Sequence, residues 1–197
     1  NLRTGEQRTG AYLRVNPKGK VPALVVGAFT ITENPAILLY LHQTYPAARL
    51  LPVKETPLSS TIGLTDMLWC SATLHIAVRQ IMRPESFTAG AASVDGVRKA
   101  GVALYEAAAA QMNDRFANDA WWYGEAWSIL DVYLYWTYST AGKGGFPVAD
   151  YPSIIEHAKR VQARPSFQRA RKREDLAATD AGLVQDFARA DEQFAAY

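Results

Sequence analysis

The sequence contains one cysteine and three histidines among its 197 residues, and this scarcity excludes two kinds of protein. A lone Cys70 cannot form an internal disulfide, so a disulfide-stabilised domain is ruled out. His42, His75 and His157 are far apart along the chain, and no Cys/His cluster has metal-ligand spacing. We therefore expect no metal site, and the single thiol is typical of a protein of the reducing cytoplasm.

Long apolar runs and an excess of charge of one sign are also missing. No apolar run approaches the ~20 residues that a membrane-spanning helix needs, and no signal-peptide pattern is present. A net charge of +2 indicates neither nucleic acid nor a membrane as a partner. The short basic run Arg169, Arg171, Lys172 and Arg173 is more typical of a solvated helix face than of a nucleic-acid site.

The most strongly patterned part of the chain is the segment from residue 16 to residue 45. Two short runs of β-type residues, Leu24–Val26 and Phe29–Ile31, flank a tight turn and predict a hairpin. A helix is predicted directly afterwards, because Asn34 is a favourable N-cap and Pro35 suits the first helical position. The segment therefore predicts a ββα unit.

The two ends of this unit have the chemistry of a binding site. Val21-Pro22 lies just before a strand, a common setting for a cis peptide bond. A cis bond there would leave the backbone N–H and C=O of Val21 free to pair with an extended peptide. Glu33 and Asn34 lie where a helix N-terminus attracts a carboxylate, while the Glu33 side chain attracts an amine. A ligand with a peptide backbone at one end and an α-amino acid at the other fits both, and glutathione is such a ligand.

Three motifs together resemble one known family. The pattern N-P-x-G-x-V-P-x-L from Asn16, followed by T-E-N-x-A-I-x-x-Y-L from Thr32, resembles the glutathione-binding half of the glutathione S-transferase family. The box Ser128-Ile129-Leu130-Asp131 is similar to a Ser/Thr-x-x-Asp box of the same family, and is expected to be structural. The closing segment from Tyr151, Y-P-x-I followed by R-V-x-A-R-P, resembles the bacterial, beta-like members.

The resemblance implies an α/β thioredoxin-like N-terminal domain followed by an all-α helical C-terminal domain. The boundaries that we expect are 1–46 for the glutathione-binding domain, 47–57 for a linker and 58–197 for the helical domain. The family fold begins with a strand and a helix before the segment that residue 1 resembles, so both elements are expected to be absent from this sequence. The catalytic Ser, Tyr or Cys of the family lies near the end of that strand and is therefore unassigned.

After Pro57 the sequence predicts helices only. One is expected from about Leu58 to Met82, and a second from about Val94 to Phe116 with a buried stripe at Val97, Leu104, Ala108 and Met112. The helix that follows Ser128 is apolar nearly all round, which predicts the buried central helix of the domain. Residues Ala181–Phe194 either form a final amphipathic helix or fray.

The resemblance also implies a set of glutathione-binding residues. Val21, Pro22, Glu33 and Asn34 match the family's binding motif directly. Lys20 either pairs with the glycine carboxylate of glutathione or is a solvated surface lysine.

The helical domain supplies further candidates. His75, followed by Arg83-Pro84, resembles the beta-type branch, in which a histidine on this helix reaches the glutathione site; the alternative is a structural histidine. Cys70 is interpreted as a buried, inert thiol and is not a candidate for catalysis. The tryptophans either line an apolar pocket for a second substrate or belong to the core: Trp69, Trp121 and Trp136.

The function that the resemblance implies is that of a cytoplasmic, homodimeric glutathione transferase. Glutathione would be a co-substrate whose thiolate attacks a hydrophobic electrophile. Two alternatives remain at this stage. The chain could instead be a non-catalytic binding or scaffold protein with the same fold. It could also be a glutathione-dependent reductase, isomerase or dehalogenase.

Overall fold

The structure of the protein, a computed structural model, describes residues 1–2, 4–51 and 56–180. The helix predicted over residues 181–194 lies outside these ranges. The first part of the chain is a small α/β unit with four elements: α1 (Gly10–Val15), β1 (Ala23–Val26), β2 (Phe29–Thr32) and α2 (Asn34–Thr44). The helices that follow are α3 (Pro57–Trp69), α4 (His75–Met82), α5 (Val94–Asn118), α6 (Ile129–Lys143), α7 (Pro152–Gln162) and α8 (Pro165–Asp180).

The predicted hairpin is confirmed. Strands β1 and β2 pair antiparallel, with Ala23 opposite Thr32 and Val26 opposite Phe29. The turn between them contains Gly27 with φ = 58°, a left-handed conformation that glycine adopts without steric cost. The hairpin thus directs the chain from the loop before β1 to the start of α2.

The predicted N-cap of α2 is wrong by one residue. Glu33, with φ = 69°, occupies the cap, and its carbonyl accepts a hydrogen bond from the Ile37 N–H (3.1 Å). Asn34 is already the first helical residue, and Pro35 follows it within the first turn. The shift costs no hydrogen bond, because the N–H that proline lacks has no partner within the first turn of a helix.

The helix predicted from Leu58 to Met82 is continuous but not uniform. It begins at Pro57 and contains one wider π turn, Cys70–Leu74, between α3 and α4. Such turns rotate the residues that follow them relative to those before. The first residue of α4 after this turn is His75.

Helix α6 is the buried centre of the helical part, as predicted. Leu130, Leu134 and Tyr138 of this helix are completely buried. The stripe predicted for α5 is wrong at Leu104, which is 59% exposed, whereas the neighbouring Tyr105 is completely buried. The reason is that α5 is rotated so that Tyr105 packs inward, and alanine-rich sequence leaves this rotation poorly defined.

The Ser128–Asp131 box is confirmed as the start of α6. One oxygen of Asp131, Oδ2, accepts hydrogen bonds from the Ser128 N–H (2.8 Å) and from the Ser128 hydroxyl (2.9 Å). Its other oxygen, Oδ1, accepts from the Trp122 N–H (2.7 Å) and from Nε2–H of His157 (3.1 Å). Nδ1 of His157 then accepts from the Tyr138 hydroxyl (2.8 Å). Burial lowers the pKa of His157, with Asp131 opposing, so the network holds a neutral imidazole.

The α/β unit packs directly on the helices. The Ile129 N–H at the start of α6 donates to the Leu50 carbonyl (2.6 Å). Leu51 is buried, and a Cβ added at Gly63 of α3 would lie 3.3 Å from its side chain. Leu38 and Leu39 of α2 also pack against the helical core. Helix α2 therefore packs against the helical part of the molecule.

Candidate functional site

The first component of the candidate site is the backbone around Val21. The Val21-Pro22 peptide bond is cis, and β1 begins only at Ala23. Within the part of the chain that the structure describes, no backbone hydrogen bond involves Val21, and this residue is 49% exposed. Its N–H and C=O are therefore available to an extended peptide, as a β-type pairing requires.

The turn before Val21 is held by the buried side chain of Asn16. Its amide donates to the Lys20 carbonyl (2.7 Å), which also accepts from the Tyr12 hydroxyl (2.6 Å). The Asn16 side-chain oxygen accepts from the Lys18 N–H (3.1 Å). Gly19 has φ = 59°, and a Cβ there would lie 3.2 Å from the Gln7 carbonyl. The backbone of the loop that carries Lys18 and Lys20 is thus held by side-chain hydrogen bonds and by a glycine turn.

The lysine that reaches the start of α2 is Lys18. Its Nζ lies 2.8 Å from Oε1 of Glu33 and 3.0 Å from the Thr32 hydroxyl. Both side chains of the ion pair are more than half exposed. Nothing in the sequence distinguishes Lys18 from Lys20 at this point, so the sequence interpretation missed Lys18 and considered only Lys20.

The second component is the N-terminus of α2. Glu33 and Asn34 lie where the free N–H groups and the dipole of the helix favour a bound carboxylate. The Asn34 side chain lies near the hydroxyl of Tyr133 on α6, close enough to influence the pKa of that hydroxyl. Tyr133 is 7% exposed, and burial raises its pKa, with the Asn34 contact opposing. Tyr133 is a second residue that sequence reasoning missed, because the contact joins residues far apart in the chain.

His75 is connected to Tyr133 by a chain of ring contacts in which Trp136 is the middle residue. Its ring centroid lies 4.6 Å from that of Trp136, which in turn lies 6.2 Å from that of Tyr133. Trp136 is 37% exposed. The structure therefore brings Lys18, Glu33 and Asn34 close to Tyr133. His75 contacts Trp136, and no ring contact or hydrogen bond of the described residues joins it directly to these four residues.

Trp69 and Trp121, the other two candidates for an apolar pocket, belong to the core or pack against it. Trp69 stacks on Trp122 with their ring centroids 5.7 Å apart, and Trp121 meets His157 edge-on at 5.8 Å. Cys70 is completely buried, as predicted, and burial raises the pKa of its thiol. No group of three or more potential metal ligands occurs within residues 1–2, 4–51 and 56–180.

The environment of His75 predicts a pH-dependent contribution to stability. Burial lowers the pKa of His75 below its ordinary value of 6.5, and Arg79 lowers it further. Below about pH 6.5 the unfolded chain therefore takes up this proton before the folded chain does, and stability falls as the pH decreases.

We expect the free energy of unfolding to decrease more steeply between about pH 7 and about pH 5 in the parent protein than in His75→Gln, which lacks this titration. Urea unfolding of both proteins at each pH measures the difference, and titrations that they share cancel. A difference that does not change with pH would contradict the expectation.

Comparison with known proteins shows similarity along most of the chain. A family model described as "Glutathione S-transferase, N-terminal domain" matches residues 1–44. The chain is 30% identical to maleylacetoacetate isomerase maiA of Aspergillus fumigatus over 181 residues, 86% of this chain and 76% of that protein. It is 28% identical to glutathione S-transferase GstA of Escherichia coli O157:H7 over 167 residues, 84% of this chain and 79% of that protein.

Solved structures show the same likeness. A sphingomonad glutathione S-transferase complexed with glutathione is 31% identical, with a TM-score of 0.72 over 84% of this chain and 79% of that one. The bacterial beta-class glutathione S-transferase of Sphingomonas chungbukensis is 29% identical, with a TM-score of 0.71 over 84% and 79% of the two chains. The predicted fold class is thereby confirmed: a thioredoxin-like N-terminal domain, with two strands among the described residues, followed by a mostly helical region.

Proposed function

This chain belongs to the glutathione S-transferase family, and from that premise we propose that it binds glutathione and transfers the glutathione thiolate to a hydrophobic electrophile. The observation that carries the proposal is the position of the exposed Val21 backbone in the loop that also directs Lys18 to Glu33 at the N-terminus of α2. One end of this arrangement suits peptide groups and the other suits an α-amino acid.

Each part of glutathione has a partner in the proposed complex. The cysteinyl residue pairs its N–H and C=O with the Val21 backbone, which Pro22 follows in the cis form. The glutamyl ammonium binds the Glu33 carboxylate, and the glutamyl carboxylate binds at the first turn of α2, where Asn34 adds a side-chain donor. Lys20 is assigned to the glycine carboxylate.

The electrophile is proposed to bind on the side of the helical part. Trp136 offers partly exposed aromatic surface next to His75, and both lie near the Tyr133–Asn34 contact. An apolar electrophile held there is brought near the bound thiol, which replaces a bimolecular encounter by a reaction between oriented groups. In the reaction with an activated aryl chloride, the thiolate sulfur forms a bond to carbon, chloride leaves and the thiol proton goes to solvent.

Calorimetric titration of the protein with glutathione tests the binding part of the proposal. Conjugation is tested by following loss of an activated aryl chloride together with loss of free thiol. Saturable binding and enzyme-dependent thiol loss are expected. Absence of glutathione binding would overturn the proposal, and binding without turnover would favour a non-catalytic binding protein.

A second candidate is a glutathione-dependent cis–trans isomerase, and the similarity to maleylacetoacetate isomerases favours it. In this reaction the thiolate adds to a carbon–carbon double bond, the resulting single bond rotates, and elimination restores both the double bond and the thiolate. Glutathione is therefore regenerated. Isomerisation of maleylacetoacetate with a constant amount of free thiol would identify this activity, whereas conjugation consumes one thiol for each product.

We also propose that the protein is a two-fold homodimer. Exposed apolar residues of α3 and α5 include Leu58, Ile62, Leu68 and Leu104. Contrary to the expectation from the sequence, the segment Pro57–Met82 is long and apolar enough to cross a membrane, and only 33% of its most apolar stretch is buried. One such helix is weak evidence for a membrane span. Asp66 within it accepts hydrogen bonds from the ring N–H of Trp122 and the hydroxyl of Tyr123, as expected of a helix that packs in a soluble domain.

If a second copy covers the exposed apolar residues at the start of α3, a charge placed there has a predictable effect. We expect Leu58→Glu to convert the dimer to a monomer, because the carboxylate would be buried without a partner in the interface. Leu176→Glu is the matched control, since Leu176 is exposed to a similar degree but lies on a different helix, α8. Light scattering after size-exclusion chromatography measures the mass. A dimeric Leu58→Glu variant, or a monomeric parent protein, would contradict the proposal.

A further inference from the structure

The ion pair between Lys18 and Glu33 lies at the proposed binding site for the glutamyl end of glutathione. It joins the loop before β1 to the start of α2, with 2.8 Å between Lys18 Nζ and Glu33 Oε1. Lys18 Nζ also donates to the Thr32 hydroxyl (3.0 Å). Lys18 is therefore hydrogen-bonded to the Glu33 carboxylate, the group that is assigned to the ligand ammonium.

The loop before β1 holds the backbone of Lys18 in place. Its N–H donates to the buried Asn16 side chain (3.1 Å), and Gly19 follows it in a left-handed turn in close contact with the Gln7 carbonyl. The loop therefore holds the Lys18 backbone, while the side-chain head stays accessible, with 57% of the side chain exposed.

The Lys18–Glu33 ion pair is expected to contribute little to folding stability. Its larger effect is expected to be on ligand binding. Exposed ion pairs typically contribute about 0–1 kcal/mol to folding, because water screens them. An α-amino acid group carries a positive and a negative charge on one carbon. Such a group can lie antiparallel to a Lys–Glu pair, so that each of its charges meets an opposite one.

The charges around the ligand carboxylate require a cation of this kind. Glu33 attracts the ligand ammonium, but its negative charge also repels the ligand carboxylate. The helix N-terminus supplies only about half an elementary charge in compensation. Lys18 supplies a full charge, and Oε1 of Glu33 takes Lys18 while Oε2 remains for the ammonium.

We propose that Lys18 binds the α-carboxylate of the glutamyl residue and thereby makes the site specific for a zwitterionic α-amino acid group. This inference rests on the proposed glutathione binding and extends it to a residue outside the set Val21, Pro22, Glu33, Asn34, Lys20 and His75. Lys18 is a specificity-determining residue, and the thiol chemistry does not involve it.

Two peptides distinguish the charges of the glutamyl residue. The first is glutathione, and the second is γ-aminobutyryl-cysteinyl-glycine, which keeps the ammonium but lacks the α-carboxylate. Calorimetry measures the affinity of the parent protein and of Lys18→Met for both. We expect Lys18→Met to weaken glutathione binding by roughly ten- to a hundredfold, the range of a charge-assisted hydrogen bond. Binding of the second peptide should not be weakened, because Lys18 then no longer competes with the ligand ammonium for Glu33.

Lys99→Met is the matched control, because Lys99 forms another exposed ion pair, with Asp95 at 2.7 Å, away from this loop. Thermal unfolding of the three proteins establishes that all are folded. Equal effects of Lys18→Met on the two peptides, or no effect on glutathione, would overturn the inference alone. Failure of the parent protein to bind glutathione would overturn the proposed function, and this inference with it.

Discussion

Replacement of Glu33 by alanine is expected to abolish retention of the protein on immobilised glutathione while the fold survives. The variant loses a charge-assisted hydrogen bond to the ligand ammonium, and such bonds contribute about 1.5–3 kcal/mol. The affinity for glutathione should therefore fall by roughly ten- to more than a hundredfold.

The fold is expected to survive because Glu33 contributes to α2 through its backbone. Its side chain makes no capping hydrogen bond, is 69% exposed and pairs only with Lys18 among the salt bridges of the described residues. Loss of that pair costs little. Glu33 does have φ = 69°, and alanine at this position keeps the same backbone requirement, so unfolding is measured in parallel.

Glu156→Ala is the matched control for this experiment. Glu156 also forms an exposed ion pair, with Lys159 at 2.8 Å, but lies on α7. Retention of Glu156→Ala should equal that of the parent protein. If Glu33→Ala is retained as strongly as the parent, the assignment of Glu33 to the ligand ammonium is wrong.

The second large effect is expected at Asp131. Asp131→Asn should reduce the free energy of unfolding by about 2–6 kcal/mol, because two buried donors would lose their acceptor at about 1–3 kcal/mol each. The carboxylate accepts four hydrogen bonds, from the Ser128 N–H and hydroxyl, from the Trp122 N–H and from His157. An amide has a single oxygen, and its NH₂ group would face donors.

A graded series keeps this prediction measurable. Ser128→Ala removes one hydroxyl and is expected to cost about 1 kcal/mol or slightly more, as for an N-cap serine. Asp95→Asn changes an exposed aspartate of α5 in the same way as Asp131→Asn and should have almost no effect. Urea unfolding gives the three values. An Asp131→Asn variant that is no less stable than Ser128→Ala would contradict the prediction.

The contrast between the two predictions reflects burial. Glu33 is exposed, so its removal affects what binds to it more than the fold that carries it. Asp131 is completely buried and lies at the start of the central helix, so its removal affects the fold. Both carboxylates stand at the beginning of a helix, and only their surroundings separate a proposed binding role from a structural one.

Much of the fold followed from local sequence signals. The hairpin of β1 and β2 was predictable because two short runs of β-type residues flank a tight turn, and the start of α6 because Ser128 and Asp131 have capping-box spacing. The candidate binding residues Val21, Glu33 and Asn34 were found because they form contiguous motifs. Signals of this kind operate within a few residues of chain, where sequence spacing and spatial proximity are the same.

Other features depended on rotations that sequence leaves open. The exposure of Leu104 follows from the phase of α5, which small residues on several sides do not define. The cap of α2 moved from Asn34 to Glu33 because Glu33 adopts a positive φ, an uncommon conformation for a residue other than glycine.

The sequence by itself determined the family resemblance, the ββα unit and the motif residues that the proposed function assigns to glutathione. Only the tertiary structure decided which lysine accompanies Glu33 and that Tyr133 of α6 contacts Asn34. The physical reason is the same for both. The folded loop places Lys18 next to Glu33, and folding brings Tyr133 to Asn34 although the two are almost a hundred residues apart, so neither contact is encoded by spacing along the chain.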